Sequence, residues 1–289
     1  MGPGKLGVLL ADEPAPEALA NRRKLDRLLA QRGPDGQGWK ELPGTRAEAQ
    51  ALARLFAAGR QPVTLLADAD ASEPRLAELA HSGALGRFRY LHFATHGTFD
   101  PRFPLQSAVI LAQPARPEVA PPGLGRYVFD GELTAAEVLE NWRLDAELVT
   151  LSACQTGLGK HERGEGFLGF AQAALLAGSR AVCLSLWQVD DAATALLMER
   201  FYQNLLGRRE GLKGPLPKAE ALAEAQAWLR GLPRAEAQRR AARLAGGVAR
   251  GKGRQLGPLL PPLPAGPAGQ PPYAHPYYWA AFVLVGDPG

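Results

Sequence analysis

The sequence predicts an α/β fold in which a mostly parallel central sheet carries helices on both faces. Short runs rich in apolar and β-branched residues are bounded by turn formers, and segments with helical periodicity alternate with them. The chain has 289 residues, 46% of them hydrophobic, which is enough for a sizeable core. We therefore expect one domain over 1–289.

The predicted elements alternate along the chain. Strands are expected at 5–11, 62–67, 88–94, 107–112, 147–153, 181–187 and 280–285. Helices are expected at 46–56, 73–80, 135–142, 166–177, 192–206 and 218–229, with Thr134 as an N-cap. The segment 246–276 is dense in Gly and Pro, so we predict an irregular insertion before the final strand returns to the sheet.

A histidine and a cysteine follow two of the predicted strands. His96 lies in Ala-Thr-His-Gly-Thr (94–98), and Cys154 lies in Ser-Ala-Cys-Gln-Thr-Gly (152–157). Because the carboxyl ends of parallel strands meet at one edge of a sheet, we expect both side chains one or two residues past a strand end and close together. A nearby imidazole lowers the pKa of a thiol or takes its proton, which makes a nucleophile. The N–H groups of Gly97 and Cys154 are candidates for an oxyanion hole.

These two motifs and four others resemble the CHAT domain family. The others are Gly-Glu-Gly-Phe-Leu-Gly (164–169), Ser-Leu-Trp-Gln-Val-Asp-Asp (185–191), and the segments 42–49 and 275–283. The resemblance implies a caspase-like cysteine peptidase of the caspase-hemoglobinase fold, a three-layer sandwich related to separase. It implies a His96/Cys154 dyad with no third catalytic residue.

CHAT domains often follow tetratricopeptide repeats in bacterial proteins. This sequence contains no such repeat. The resemblance therefore implies a tetratricopeptide-repeat region or another regulatory protein as a partner, either truncated from this chain or carried on another one.

Three residues are candidates for substrate binding. Asp190 and Asp191 follow the strand after that of the nucleophile, and in the resembling segment of separase an acidic residue contacts a basic substrate side chain. We expect Asp191, with Asp190 second, to select Arg or Lys at the cleaved position, while one of them N-caps the next helix. Arg46 is the competing specificity residue, roughly where caspases keep an arginine for acidic substrates. Glu48 is close enough in sequence to neutralise it.

Metal and cofactor sites fit the residues less well. His92 and His96 are four apart, but in a strand, and Phe93 stands where a zincin needs Glu, so no metal is expected and His92 should face inward near the site. The glycines at 164–169 match a dinucleotide pattern, but they do not follow their strand directly, so no cofactor is expected.

Two further residues, His161 and Cys183, carry side chains that could be reactive. His161, in the loop after the nucleophile, is a second candidate base. Cys183 lies inside the predicted strand 181–187 and is expected to be a buried structural thiol.

Charge and composition limit the kinds of partner and the compartment that we expect. The net charge is +4, and 237–286 has six Arg and Lys and no acidic residue. These basic residues lie between 239 and 254, where there is no aromatic residue to stack on bases, so nucleic acid is not expected. No apolar run is long enough to span a membrane, and two cysteines make no disulfide framework, which favours the cytoplasm.

The predicted function is a cysteine endopeptidase that acts on a protein or peptide substrate. The alternative is a catalytically idle CHAT module that acts as an interaction platform in signalling.

Overall fold

A computed structural model describes residues 6–10, 43–98, 103–112, 118–125, 128–155, 167–187, 190–246, 262–265, 267 and 269–289. The strands in these ranges are β1 (Leu6–Leu10), β2 (Val63–Leu66), β3 (Tyr90–Thr98), β4 (Ala108–Ile110), β5 (Glu118–Val119), β6 (Val128–Phe129), β7 (Glu132–Thr134), β8 (Leu148–Gln155), β9 (Ala181–Ser185) and β10 (Phe282–Gly286). The helices are α1 (Pro43–Ala58), α2 (Glu73–His81), α3 (Ala135–Asn141), α4 (Phe167–Leu176), α5 (Asp191–Leu205), α6 (Lys218–Gly231), α7 (Arg234–Gly246) and α8 (Pro276–Trp279).

The main sheet confirms the predicted architecture. Its strands follow the order β10-β9-β8-β3-β1-β2. They pair in parallel, except that β10 runs antiparallel to β9. Two short strands, β4 and β7, extend the sheet from the end of β3 and are antiparallel, while β5 and β6 form a separate ribbon. The result is a mixed α/β structure with a mostly parallel sheet.

Helices cover both faces of this sheet and make two cores. One core joins α1, α5, α6 and α7 to the face that carries Tyr90, Ala94 and Cys183. The other joins α2, α3 and α4 to the face that carries Leu91, Phe93 and Leu151. Since neighbouring residues of a strand point to opposite faces, the apolar runs of β3 and β8 supply both cores at once. This is the three-layer sandwich that the sequence predicts.

Local chemistry explains where two of the helices lie. Thr134 caps α3, because its hydroxyl accepts from the N–H of Glu137 at 3.2 Å and the Glu137 carboxylate accepts from the N–H of Thr134 at 2.9 Å. The predicted N-cap is therefore confirmed. In α4, a Cβ at Gly169 would collide with the carbonyl of Pro104, so only glycine allows this close approach.

The structure differs from the sequence-based predictions in two places, and a third prediction is not tested. The ladder between β3 and β8 continues to Gly97 and Gln155, so His96 and Cys154 lie inside their strands and not beyond the strand ends. The strand expected at 107–112 is antiparallel to β3, and the strands β5, β6 and β7 were not expected. Strands of two or three residues are too short to show a period. Most of the expected insertion at 246–276 lies outside the described residues.

Candidate active site

His96 and Cys154 occupy opposed positions on neighbouring strands. In the parallel register of β3 and β8, His96 is level with Cys154. Residues that are level on neighbouring strands share a face of the sheet, with backbones about 4.8 Å apart. The backbone therefore brings the predicted base and the predicted nucleophile to adjacent positions, although they are 58 residues apart in sequence.

The imidazole of His96 lies on the face covered by α1 and α5. Successive residues of β3 point to opposite faces of the sheet, so Phe93 and Thr95 lie on the other face. His96 shares its face with Tyr90 and Ala94, which pack in the core of these helices. Only 5% of His96 is exposed. An imidazole held in this way is shielded from bulk water and has a restricted orientation.

Gly97 lies in a crowded stretch of β3. It pairs with Gln155 of β8 on one side and with Val109 of β4 on the other. The hydroxyl of Thr95 donates to the carbonyl of Ile110 and fastens β4 to β3 at this point. The predicted roles of the Gly97 and Cys154 N–H groups as oxyanion donors stay predictions.

Asp190 and Asp191 stand at the start of α5. Asp190 is the N-cap, since its carboxylate accepts from the N–H of Ala193 at 2.9 Å, and this confirms the capping role expected for one of the two. Burial raises the pKa of Asp190, against its backbone hydrogen bonds. Burial also raises the pKa of Asp191, although the carboxylate accepts from the N–H of Gly44.

The contact between α5 and the start of α1 depends on a glycine. A Cβ at Gly44 would collide with the side chain of Asp191. The other charges that act on Asp191 come from Asp190 and Glu48, and both are negative. The charges that act on this partly buried carboxylate from the described residues therefore include no cation.

Arg46 has a different partner from the one expected. Its guanidinium pairs with Asp68, just after β2. Glu48 is nearly buried and pairs instead with His92, whose Nε2 lies 2.7 Å from the Glu48 Oε1. The expectation that Glu48 neutralises Arg46 was wrong, because the two side chains meet different elements. His92 faces inward as predicted.

The sequence held an unused signal for the Glu48 contact. Glu48, Leu52 and Phe56 are four apart, so they follow one another along a single side of α1, and the latter two are fully buried. A carboxylate in line with a buried apolar stripe needs a polar partner. The inward-facing His92 was the available candidate.

Of the remaining predicted residues, Cys183 lies in the described part of the chain and His161 does not. Cys183 is free and buried, and burial raises the pKa of its thiol, which confirms a structural role. His161 lies in 156–166, outside the described residues, as do the basic residues of 247–261.

The described ranges contain neither a candidate metal site nor a candidate membrane span. No three His, Cys, Asp or Glu side chains there are grouped to hold a metal ion. No helix there has the length and apolar character needed to cross a bilayer.

A comparison with family models decides what kind of domain this is. The model of the CHAT domain matches residues 10–287. The chain belongs to the CHAT domain family. This family is caspase-like and peptidase-related.

Relatives of this CHAT domain are repeat proteins. The tetratricopeptide repeat protein 28 of Mus musculus is 37% identical over 31% of this chain and 4% of its own length. The protein of the same name from Homo sapiens is 29% identical over 64% of this chain and 8% of its own length. The chain thus spans less than a tenth of these relatives.

Proposed function

We propose that this CHAT domain is a cysteine endopeptidase with His96 as the base and Cys154 as the nucleophile. The observation that carries the proposal is the register of β3 and β8, which sets these two positions level on adjacent strands. The burial of the imidazole supports it, because a general base must be held in place.

The proposed chemistry follows the usual two steps of acyl transfer. His96 takes the thiol proton of Cys154, the thiolate attacks the peptide carbonyl, and the imidazolium returns the proton to the leaving amine. Water, activated by the same imidazole, then hydrolyses the thioester. The N–H groups of Gly97 and Cys154 are the proposed donors to the oxyanion.

For the cleaved position we propose Arg or Lys, selected by Asp191 with Asp190 second. The support is electrostatic: Asp191 is partly buried beside two other carboxylates, and a guanidinium would neutralise it. Arg46, the alternative specificity residue for an acidic substrate, is already paired with Asp68. The structure of the site therefore favours a basic substrate.

We further propose that a tetratricopeptide-repeat region regulates the peptidase. The relatives that match this chain are named as tetratricopeptide repeat proteins. A reducing compartment such as the cytoplasm would keep Cys154 a thiol.

The test is covalent labelling by a peptide that carries an electrophilic ketone after Arg. We expect labelling at Cys154 in the wild type and in Cys183→Ala, and none in His96→Ala or Cys154→Ala. Peptides ending in Lys, Asp and Leu, with Asp191→Asn as the pocket variant, then report specificity.

The outcomes separate the parts of the proposal. Labelling that is equal in wild type and His96→Ala would indicate the idle interaction module. Labelling that depends on His96 but prefers Asp or Leu would retain the dyad and refute the pocket.

A further inference from the structure

A second polar pair lies on the same two strands as the proposed dyad. His92 is level with Thr150, as His96 is with Cys154. The two pairs are four residues apart along each strand, which places them on the same face at a separation of about 13 Å. The core between α1, α5 and the sheet therefore contains a polar layer below the dyad.

Hydrogen bonds connect this layer across four elements. His92 Nε2 lies 2.7 Å from Glu48 Oε1 on α1, and its Nδ1 lies 3.4 Å from the Tyr202 hydroxyl on α5. The Tyr202 hydroxyl lies 2.9 Å from the Thr150 hydroxyl on β8. All four residues are buried, and burial raises the pKa of Tyr202, which keeps its hydroxyl protonated.

The dyad itself lies beyond the part of the sheet in which β3 and β8 are both flanked by further strands. Pairing of β1 with β3 extends to Ala94, and pairing of β9 with β8 extends to Leu151. Within the described residues, β3 and β8 then continue together to Gly97 and Gln155, with only β4 joining at the end. Two-stranded ribbons twist more freely than the interior of a sheet.

The polar layer lies where β3 and β8 still have strands on both sides, two residues before the last described β1 partner of β3 and one residue before the last β9 partner of β8. His92 is flanked by β1 and β8, and Thr150 by β3 and β9. The bridge through Tyr202 therefore fixes the two strands to each other, and to α1 and α5, just before the described pairing with β1 and β9 ends.

Energetics argue that this layer serves more than stability. Burying polar groups costs free energy even when they are paired, and apolar residues of similar volume often stabilise as well. Fully connected polar networks instead specify one arrangement of the elements they join.

We propose that Glu48, His92, Tyr202 and Thr150 are positioning residues that set the geometry of the two-stranded extension carrying His96 and Cys154. This inference rests on the proposed peptidase function. None of the four touches the reacting atoms; they act through the strands.

The test uses variants that remove one hydroxyl without a large cavity. Thr150→Val and Tyr202→Phe break the bridge, and Thr150→Ser restores a hydroxyl. The chain offers matched controls, because Thr194 and Tyr273 are buried and their hydroxyls make no hydrogen bond to the residues that the structure describes. Thr194→Val and Tyr273→Phe therefore make the same chemical changes outside the network.

The measurement is the rate of iodoacetamide alkylation of Cys154 across pH, followed by mass spectrometry of its peptide. We expect Thr150→Val and Tyr202→Phe to slow alkylation at neutral pH about tenfold and to move the midpoint of the profile toward that of a free thiol, about pH 8.5. Thr150→Ser and both controls should keep the wild-type profile.

Two results would overturn the inference, and they are distinguishable. If wild-type Cys154 alkylates like a free thiol, the proposed function fails and the inference fails with it. If the wild type is activated but Thr150→Val and Tyr202→Phe match their controls, the network has no positioning role and the dyad stands.

Discussion

Among the described residues, each face of the sheet buries one glutamate, and the two glutamates have different hydrogen-bond partners. Glu48, on the face of α1 and α5, pairs with the imidazole of His92. Glu73, on the opposite face in α2, accepts from the N–H of Gly131 with one carboxylate oxygen, and the other has no partner among the described residues. Burial, with smaller contributions from nearby Glu137 and Asp130, raises the pKa of Glu73 to about 8.

The difference shows which face of this fold gives a buried carboxylate an imidazole partner. The face that carries the proposed dyad buries a carboxylate together with a base. The opposite face is an apolar packing layer, in which Phe93 stacks on Trp142 at 6.0 Å, and its buried acid is kept neutral at neutral pH. Polar specificity and apolar packing are thus divided between the two layers.

The largest expected effect breaks the pair on the dyad face. Glu48→Ala should lower the free energy of unfolding by about 3–5 kcal/mol, because it leaves His92 buried without its partner. The double variant Glu48→Leu/His92→Leu should be much closer to wild type. Urea unfolding followed by circular dichroism measures both, and equal losses in the two variants would contradict the role of the pair.

A smaller effect concerns pH on the opposite face. Folded Glu73 keeps its proton up to about pH 8, whereas the unfolded chain releases it near 4.5. Stability from this group is therefore full below pH 4.5, falls as pH rises and is lost above about 8, by at most ~1.4 kcal/mol per pH unit.

Glu73→Gln should remove this part of the pH dependence, because an amide does not titrate. Thermal unfolding at pH 5, 7 and 9 compares the variant with wild type, and Glu48→Gln serves as the control on the other face. Parallel curves for wild type and Glu73→Gln would show that Glu73 ionises normally.

The smallest effects come from two helix caps, one on each face. Thr134→Ala and Asp190→Ala should each cost about 1 kcal/mol, since each removes an N-cap hydrogen bond. Thr134 lies away from the proposed site, so its variant should label at Cys154 as wild type does. Asp190→Ala should also slow labelling by the Arg peptide.

For both cap variants, the free energy of unfolding and the rate of labelling at Cys154 are measured. Equal labelling by the two variants would remove Asp190 from the proposed pocket and leave it a structural cap.

Apolar runs made most of the fold predictable. The strands near 62–67 and 181–187 and the helices α2, α3 and α5 lie within a few residues of their expected positions, because each has a clear period or cap. The ends of β3 and β8 were missed because Thr-His-Gly-Thr (95–98) and Cys-Gln (154–155) have few strand-forming residues and stand next to turn formers. Only pairing with a neighbouring strand keeps them extended.

The candidate site was predictable in its residues but not in its contacts. The motifs placed His96 and Cys154 at one edge of the sheet, and the register sets them level. The contacts of Arg46 with Asp68 and of Glu48 with His92 join positions 22 and 44 residues apart. The apolar stripe that follows Glu48 along α1 was a signal for the second contact, whereas the local sequence carries none for the first.

The antiparallel strand β10 has a consequence for the order of synthesis. It covers the outer edge of β9, and α5, α6, α7 and α8 all lie between the two strands in the chain. A nascent chain therefore has β9 long before the strand that protects it. During that interval the N–H and C=O groups of β9 are an open template for pairing with another chain. Premature termination anywhere in this stretch should give products that aggregate and do not merely lack a strand.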